Sequence, residues 1–127
     1  MKKIFLIIGM LVVFSMAGSM KDSRDGKTYK TVKIGEQVWM AENLNYKTSG
    51  SMCYDNDLAN CEKYGRLYTW EAAKKACPDG WHLPSEESFK TLLKNVGFSD
   101  DERWMNLYAR AWEGTDKYGF SALPAGS

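Results

Sequence analysis

RLYTWEAAKKACPDGWHLPSEESFKTLLKNV, residues 66–96, reads as helix, short strand, helix, and this pattern decides the fold. Trp70, Ala73 and Cys77 recur at i, i+3 and i+7, and Phe89, Leu92, Leu93 and Val96 at i, i+3, i+4 and i+7. Each predicted helix therefore has one face to bury. Pro78, Asp79 and Gly80 between them signal a turn, because proline presets φ and glycine accepts a positive φ. Trp81-His82-Leu83 alternates as a short buried strand that Pro84 stops. Ser85 suits an N-cap accepting from the amide of Ser88, and Glu86 and Glu87 put negative charge at the positive end of the helix dipole. Ser88 stands where a full capping box has Glu or Gln.

Upstream, Tyr29 to Ile34 is rich in β-formers, with Val32 and Ile34 alternating against Thr31 and Lys33. Gly35-Glu36 is a two-residue turn with glycine first, and Gln37 to Met40 is the return strand of a hairpin. Tyr46 to Asn60 reads as a polar loop. Downstream, Gly97 stops the second helix. Trp104, Leu107, Tyr108, Ala111 and Trp112 recur at the spacing of a third short helix. Gly114-Thr115-Asp116 then turns the chain into a strand from Tyr118 to Leu123, which ends at Pro124 to Ser127.

With 127 residues, 44% apolar and 26% charged, the chain has room for one globular domain. Residues 1–19 read as a secretory signal peptide: Lys2 and Lys3, the apolar run Ile4 to Phe14, then Ser15, Ala17, Gly18 and Ser19, with cleavage after Ala17 or Ser19. The run is shorter than the roughly 20 residues a spanning helix needs. Removal of these residues takes two lysines from 17 basic residues and nothing from 16 acidic ones, leaving a net charge of about −1. That balance argues against nucleic acid and against membrane binding after cleavage. Export implies an oxidising compartment, where Cys53 and Cys61 form a disulfide across a loop rich in turn formers and Cys77 is left over. On the chain-entropy model such a closure contributes roughly 2.5 kcal/mol.

The residues offer little for catalysis. His82 is the single histidine and reads as structural, so neither a Ser-His-Asp nor a Cys-His arrangement assembles away from it. Asp55-Asn56-Asp57 fails as a calcium loop, because Ala59 and Asn60 occupy the fifth and the glycine positions. Glu86 and Glu87 point apart on a helix. No catalytic, cofactor-binding or metal residue is assigned, and no cofactor. Trp39, Trp70 and Trp81 are expected in the core, and Trp104 and Trp112 are the candidate ligand-facing aromatics.

YKTVKIGEQVWMAENLNY (residues 29–46), CYDNDLANCEKYGRLYTWEAA (53–73), CPDGWHLPSEESFKTLL (77–93) and GTDKYGFSALPAG (114–126) together resemble the Fibrobacter succinogenes major paralogous domain. On this resemblance the domain runs over residues 20–127. The family is similar in fold to C-type lectin-like domains and to formylglycine-generating enzymes. The resemblance implies an α+β, C-type lectin-like fold, with an N-terminal hairpin and two main helices flanking a short strand against a mostly antiparallel sheet. Family members continue past the Ala-Leu-Pro-Ala-Gly motif with further strands and a late cysteine, so the chain is expected to be an N-terminal part with its final strands missing. In lectin-like folds the first helix is tied to a late strand, which leaves Cys77 an unpaired thiol. The surfaces around Trp70, Trp81 and Phe120 are then expected to be uncovered and open to self-association. The functional expectation is an exported, non-catalytic module binding protein or glycan. The alternatives are an enzyme related to the formylglycine-generating group and a truncated product without function; the sugar-binding motifs of calcium-dependent lectins and the catalytic cysteine pair of the enzymes map to no position here.

Overall fold

The computed structural model describes residues 2–3, 7–8 and 18–123, the first two pairs by their backbone alone. Most of the apolar run from Ile4 to Phe14, the cleavage position Ala17 and the end Pro124 to Ser127 lie outside the described residues.

The hairpin forms where β-branched and aromatic residues cluster. β4 (Thr28–Ile34) and β5 (Gln37–Met40) pair antiparallel from Thr31 opposite Met40 to Ile34 opposite Gln37. Gly35 turns the chain at φ 62°, a conformation open to glycine at no steric cost. β3 (Ser19–Lys21) adds to the far side of β4, and β2 (Ile7–Ile8) pairs with Val38 and Trp39 of β5. A second antiparallel sheet sets β7 (Leu67–Tyr68) between β1 (Lys2–Lys3) and β6 (Ser51–Met52). Unlike the expected one-sided alternation, the hairpin is covered on both faces. Tyr29 and Met40 enter one apolar cluster, with Leu44, Tyr68 and Trp81; Ile34 and Trp39 enter another, with Leu92, Val96, Leu107 and Phe120. Thr31, expected outside, is buried and accepts from the amide of Gly18 at 3.2 Å.

Among the described residues four α-helices surround the sheets, each with a side-chain N-cap. Asp57 caps α1 (Leu58–Tyr64), Thr69 caps α2 (Trp70–Ala76), Ser85 caps α3 (Glu86–Val96) and Ser99 caps α4 (Asp100–Leu107). Each cap satisfies an amide that the first turn leaves without an intrahelical partner. α1 corrects the expected loop from Tyr46 to Asn60: Asp57 starts a helix in which Cys61 alone is buried, so no apolar stripe announces it.

α2 buries Ala72, Ala73 and Ala76 and leaves Trp70 59% exposed, which corrects the placing of Trp70 in the core. Three alanines let the helix backbone approach the Tyr68 layer closely, and the large ring is turned outward, with the Lys74 ammonium 6.0 Å from its centroid. Trp81 is buried as expected, but residues 81–83 form no strand ladder beyond a single bridge residue at His82. The amide of Trp81 donates to the Pro78 carbonyl at 3.0 Å, so this stretch is the exit of a turn.

α3 buries Leu92 and Val96, while Phe89 keeps 38% exposure. The third helix ends at Leu107, short of the expected Trp112. Tyr108 leaves the helix to make a parallel bridge with Ala122, supported by Ala122 N to Leu107 O at 2.9 Å and Ala109 N to Ala122 O at 3.1 Å. Arg110–Trp112 is a separate 3-10 turn. That one bridge replaces the expected strand from Tyr118 to Leu123. Asn106 holds the corner, donating from Nδ2 to the Val96 carbonyl at 2.7 Å and accepting from Thr115 Oγ1 at 3.1 Å.

Candidate functional site

The packing of α3 against α4 leaves an apolar cleft of about 330 Å³ between them. Phe89 and Leu93 form one wall, Trp104 and Tyr108 the other, and Phe120 lies at the base; the exposed lining is apolar throughout. The base is rigid. Trp39, fully buried, lies 5.4 Å from Phe120 in an edge-on contact and 5.6 Å from Phe89, and its Nε1 donates to Gln37 Oε1 at 3.2 Å. Gln37 in turn donates from Nε2 to the Ser88 carbonyl at 3.2 Å, tying the hairpin to the first turn of α3.

Trp104 and Trp112 are 51% and 48% exposed, and Tyr108 joins them into one row. The Trp104 and Tyr108 rings stack at 5.9 Å with an interplanar angle of 29°, and Tyr108 meets Trp112 edge-on at 5.8 Å. Tyr108 is fixed from behind. Its carbonyl accepts from the amide of Asp116 at 3.1 Å, and Gly114 lies so close that a Cβ there would overlap that carbonyl. Sequence reasoning named Trp104 and Trp112 but missed Tyr108 as their link, although it stands four residues from each. It also placed Phe89 wholly inside, whereas its half-exposed ring forms the lip of the cleft.

Of the three residues around which open surface was expected, Trp70 is exposed, Trp81 is buried, and Phe120, buried itself, lies at the base of the open α3–α4 cleft.

The remaining candidates are dispersed. His82 is exposed, Glu86 is paired with Lys90 at 2.7 Å, and Asp57 is engaged in capping Ala59 N at 2.9 Å. Among the described residues no group of three or more His, Cys, Asp or Glu side chains is placed to hold a metal ion. Cys53 and Cys61 are joined in a disulfide with their Cα atoms 5.0 Å apart, closing the turn before α1 onto that helix. A cleft of about 230 Å³ beside it, of mixed polar and apolar lining, is bordered in part by Lys27, Glu42, Asn43 and Tyr64. Its groups are largely engaged in the fold: Lys27 Nζ donates to the Asn45 carbonyl at 2.7 Å, Glu42 accepts from Lys30 N at 2.7 Å, and Asn43 donates to the Tyr64 carbonyl at 2.9 Å. Cys77 is a half-buried free thiol whose pKa burial pushes up to about 11, so it stays protonated and a poor nucleophile at neutral pH.

Among the described residues, two small antiparallel sheets, four capped α-helices and one disulfide make an α+β domain with an aromatic cleft on its surface. Residues 32–127 match the Fibrobacter succinogenes major domain, and the chain belongs to that family. No curated protein and no solved structure matches it.

Proposed function

We propose that this chain is an exported, non-catalytic interaction module of lectin-like architecture, and that its binding face is the α3–α4 cleft with the row Trp104, Tyr108 and Trp112. The observation that carries the reading is the cleft itself: an all-apolar recess over a packed aromatic base, bordered by half-exposed Trp104, from which Tyr108 and Trp112 continue the aromatic row. Exposed aromatics clustered over a well-packed recess are what protein interfaces use as anchors. Protein is favoured over glycan as the ligand, because an apolar wall offers sugar hydroxyls no hydrogen-bond partners in place of water. Export is supported by the apolar leader and by the Cys53 to Cys61 disulfide, which persists in oxidising compartments. The lectin-like reading is supported by the hairpin with α2 and α3 on either side of the extended segment after Gly80.

The test presents the wild type and the Trp104→Ala and Trp112→Ala variants to a random displayed-peptide library and to a glycan array. Peptides enriched by the wild type and lost with Trp104→Ala are the expected result. Glycan binding that disappears with both tryptophans would turn the ligand class to sugar, and the absence of any Trp104-dependent ligand would remove the cleft as the binding face. Fusion of residues 1–19 to alkaline phosphatase reads export separately, with activity outside the cytoplasm as the expected outcome.

A further inference from the structure

The cleft has a charged neighbour. On the other side of Leu93, which lines both, lies a second recess of about 370 Å³ bordered by Glu87, Lys90, Thr91, Lys94 and Arg103. Three cations and Glu87 border it, two of the cations being paired from outside the recess, Lys90 with Glu86 and Arg103 with Asp100. Arg103 is held in place: its Nε donates to the Gly97 carbonyl at 3.0 Å and its Nη1 to Asp100 Oδ1 at 3.0 Å. Lys90 pairs with Glu86 across two well-exposed side chains, an arrangement worth little in water and readily exchanged for another carboxylate. Among the described residues Lys94 makes no salt bridge, and it lies one helical turn beyond Lys90 on the same stripe of α3.

We infer that the partner is a protein segment that sets a large apolar side chain in the α3–α4 cleft and an acidic residue, close in its sequence, on the Lys90, Lys94 and Arg103 shelf. This rests on the reading of the cleft as the binding face and adds the chemistry of what enters it. One side chain, Leu93, separates the apolar recess from the cations, so a single short segment reaches both. Charge here selects and orients the partner, while the apolar anchor supplies most of the affinity. With a net charge of about −1 once residues 1–19 are removed, the chain has no general attraction for polyanions, and an acidic group is drawn here by the local cations beside the apolar cleft.

Random displayed peptides panned on the full chain are the probe, and the readouts are the composition of the enriched peptides and their affinity for the wild type, the double lysine variant and Trp104→Ala. The inference expects Asp or Glu enriched beside Leu, Phe or Trp. It expects binding weakened about tenfold or more by Lys90→Glu with Lys94→Glu and by raising salt, and lost with Trp104→Ala. Both lysines are exposed and Trp104 is half-exposed, so each variant should fold, and circular dichroism checks it. Apolar peptides without acidic residues, bound equally by the double lysine variant but lost with Trp104→Ala, would overturn this inference and leave the cleft as the binding face. Peptide binding indifferent to Trp104 would overturn both. Phosphatidylglycerol vesicles that bind in a Trp104- and Lys94-dependent manner, with no peptide enriched, would replace the protein partner by a membrane surface.

Discussion

Arg24 closes the N-terminal turn onto the end of α2: its Nη2 lies 2.8 Å from the carbonyl oxygen of Ala76, 52 residues further on. The same guanidinium holds Asp22, from Nη2 to Oδ2 at 2.7 Å and from Nε to Oδ1 at 2.9 Å, and lies 3.7 Å over the centre of the Tyr46 ring. A carbonyl that the helix end leaves without a partner is thus satisfied by a residue from before the hairpin. Asp22→Ala is expected to cost about 2 to 3 kcal/mol, because it leaves Arg24 without its buried carboxylate. The hydrogen bonds from Arg24 hold the Asp22 carboxyl below its usual value of 3.8. Its contribution is present above pH 3.8 and lost as pH falls through the lower folded value. Urea unfolding across the acid range should show the variant with a smaller loss of stability on acidification than the wild type.

Reduction of the Cys53 to Cys61 bond, or its replacement by Cys53→Ser with Cys61→Ser, is expected to cost roughly 2.5 kcal/mol through the chain entropy of the unfolded state. Non-reducing peptide mapping of exported material checks the bond. Recovery of both residues as free thiols would contradict it, and chemical unfolding with and without reductant measures its worth.

Leu92 is 1% exposed and Phe89 38% exposed on the same helix. Leu92→Ala should cost about 2 to 5 kcal/mol, Phe89→Ala less, and Lys90→Ala almost nothing. Denaturant midpoints in that order support the inward face seen here. A midpoint for Leu92→Ala equal to that of Lys90→Ala would place the wrong face inside.

At neutral pH, Cys77 should react with iodoacetamide slowly in the folded state and rapidly in urea, because it is half-buried and its thiol is pushed up to about 11. A folded pKa above the unfolded value of 9.0 contributes stability that is complete below pH 9.0 and lost as pH rises through about 11. Tyr29, pushed up to about 12 by burial, adds to the same alkaline loss. Cys77→Ala should therefore flatten the fall in stability over that interval.

Gly114→Ala should destabilise by about 1 to 3 kcal/mol, because the new methyl overlaps the Tyr108 carbonyl and forces this corner to shift. Since Tyr108 links Trp104 to Trp112, tryptophan fluorescence should change along with the unfolding midpoint. A midpoint and a spectrum both unchanged would show that the corner is loose.

What the sequence determined by itself was local. Gly35 fits the first position of the turn, Ser85 caps α3 within three residues, Leu92 and Val96 follow from a 3.6-residue period, and Cys53 and Cys61 are too near in the chain to miss each other. Each of these depends on neighbours within a dozen residues, where spacing alone limits the geometry. The family, too, was legible, because its motifs keep rare residues at fixed intervals. Tertiary structure decided what depends on distant partners. Whether α2 turns Trp70 or its alanines inward depends on how closely Tyr68 must be approached. Whether Tyr108 extends a helix depends on Ala122, which competes for the main chain of residues 107–109 from more than a full turn away. The aromatic cleft exists because Phe89 from α3, Trp104 from α4 and Phe120 from a later loop are brought together over Trp39 of the hairpin. Periodicity identifies which face of one helix is apolar, but it carries no information about the gap two such faces leave when they pack, and that gap is the candidate site.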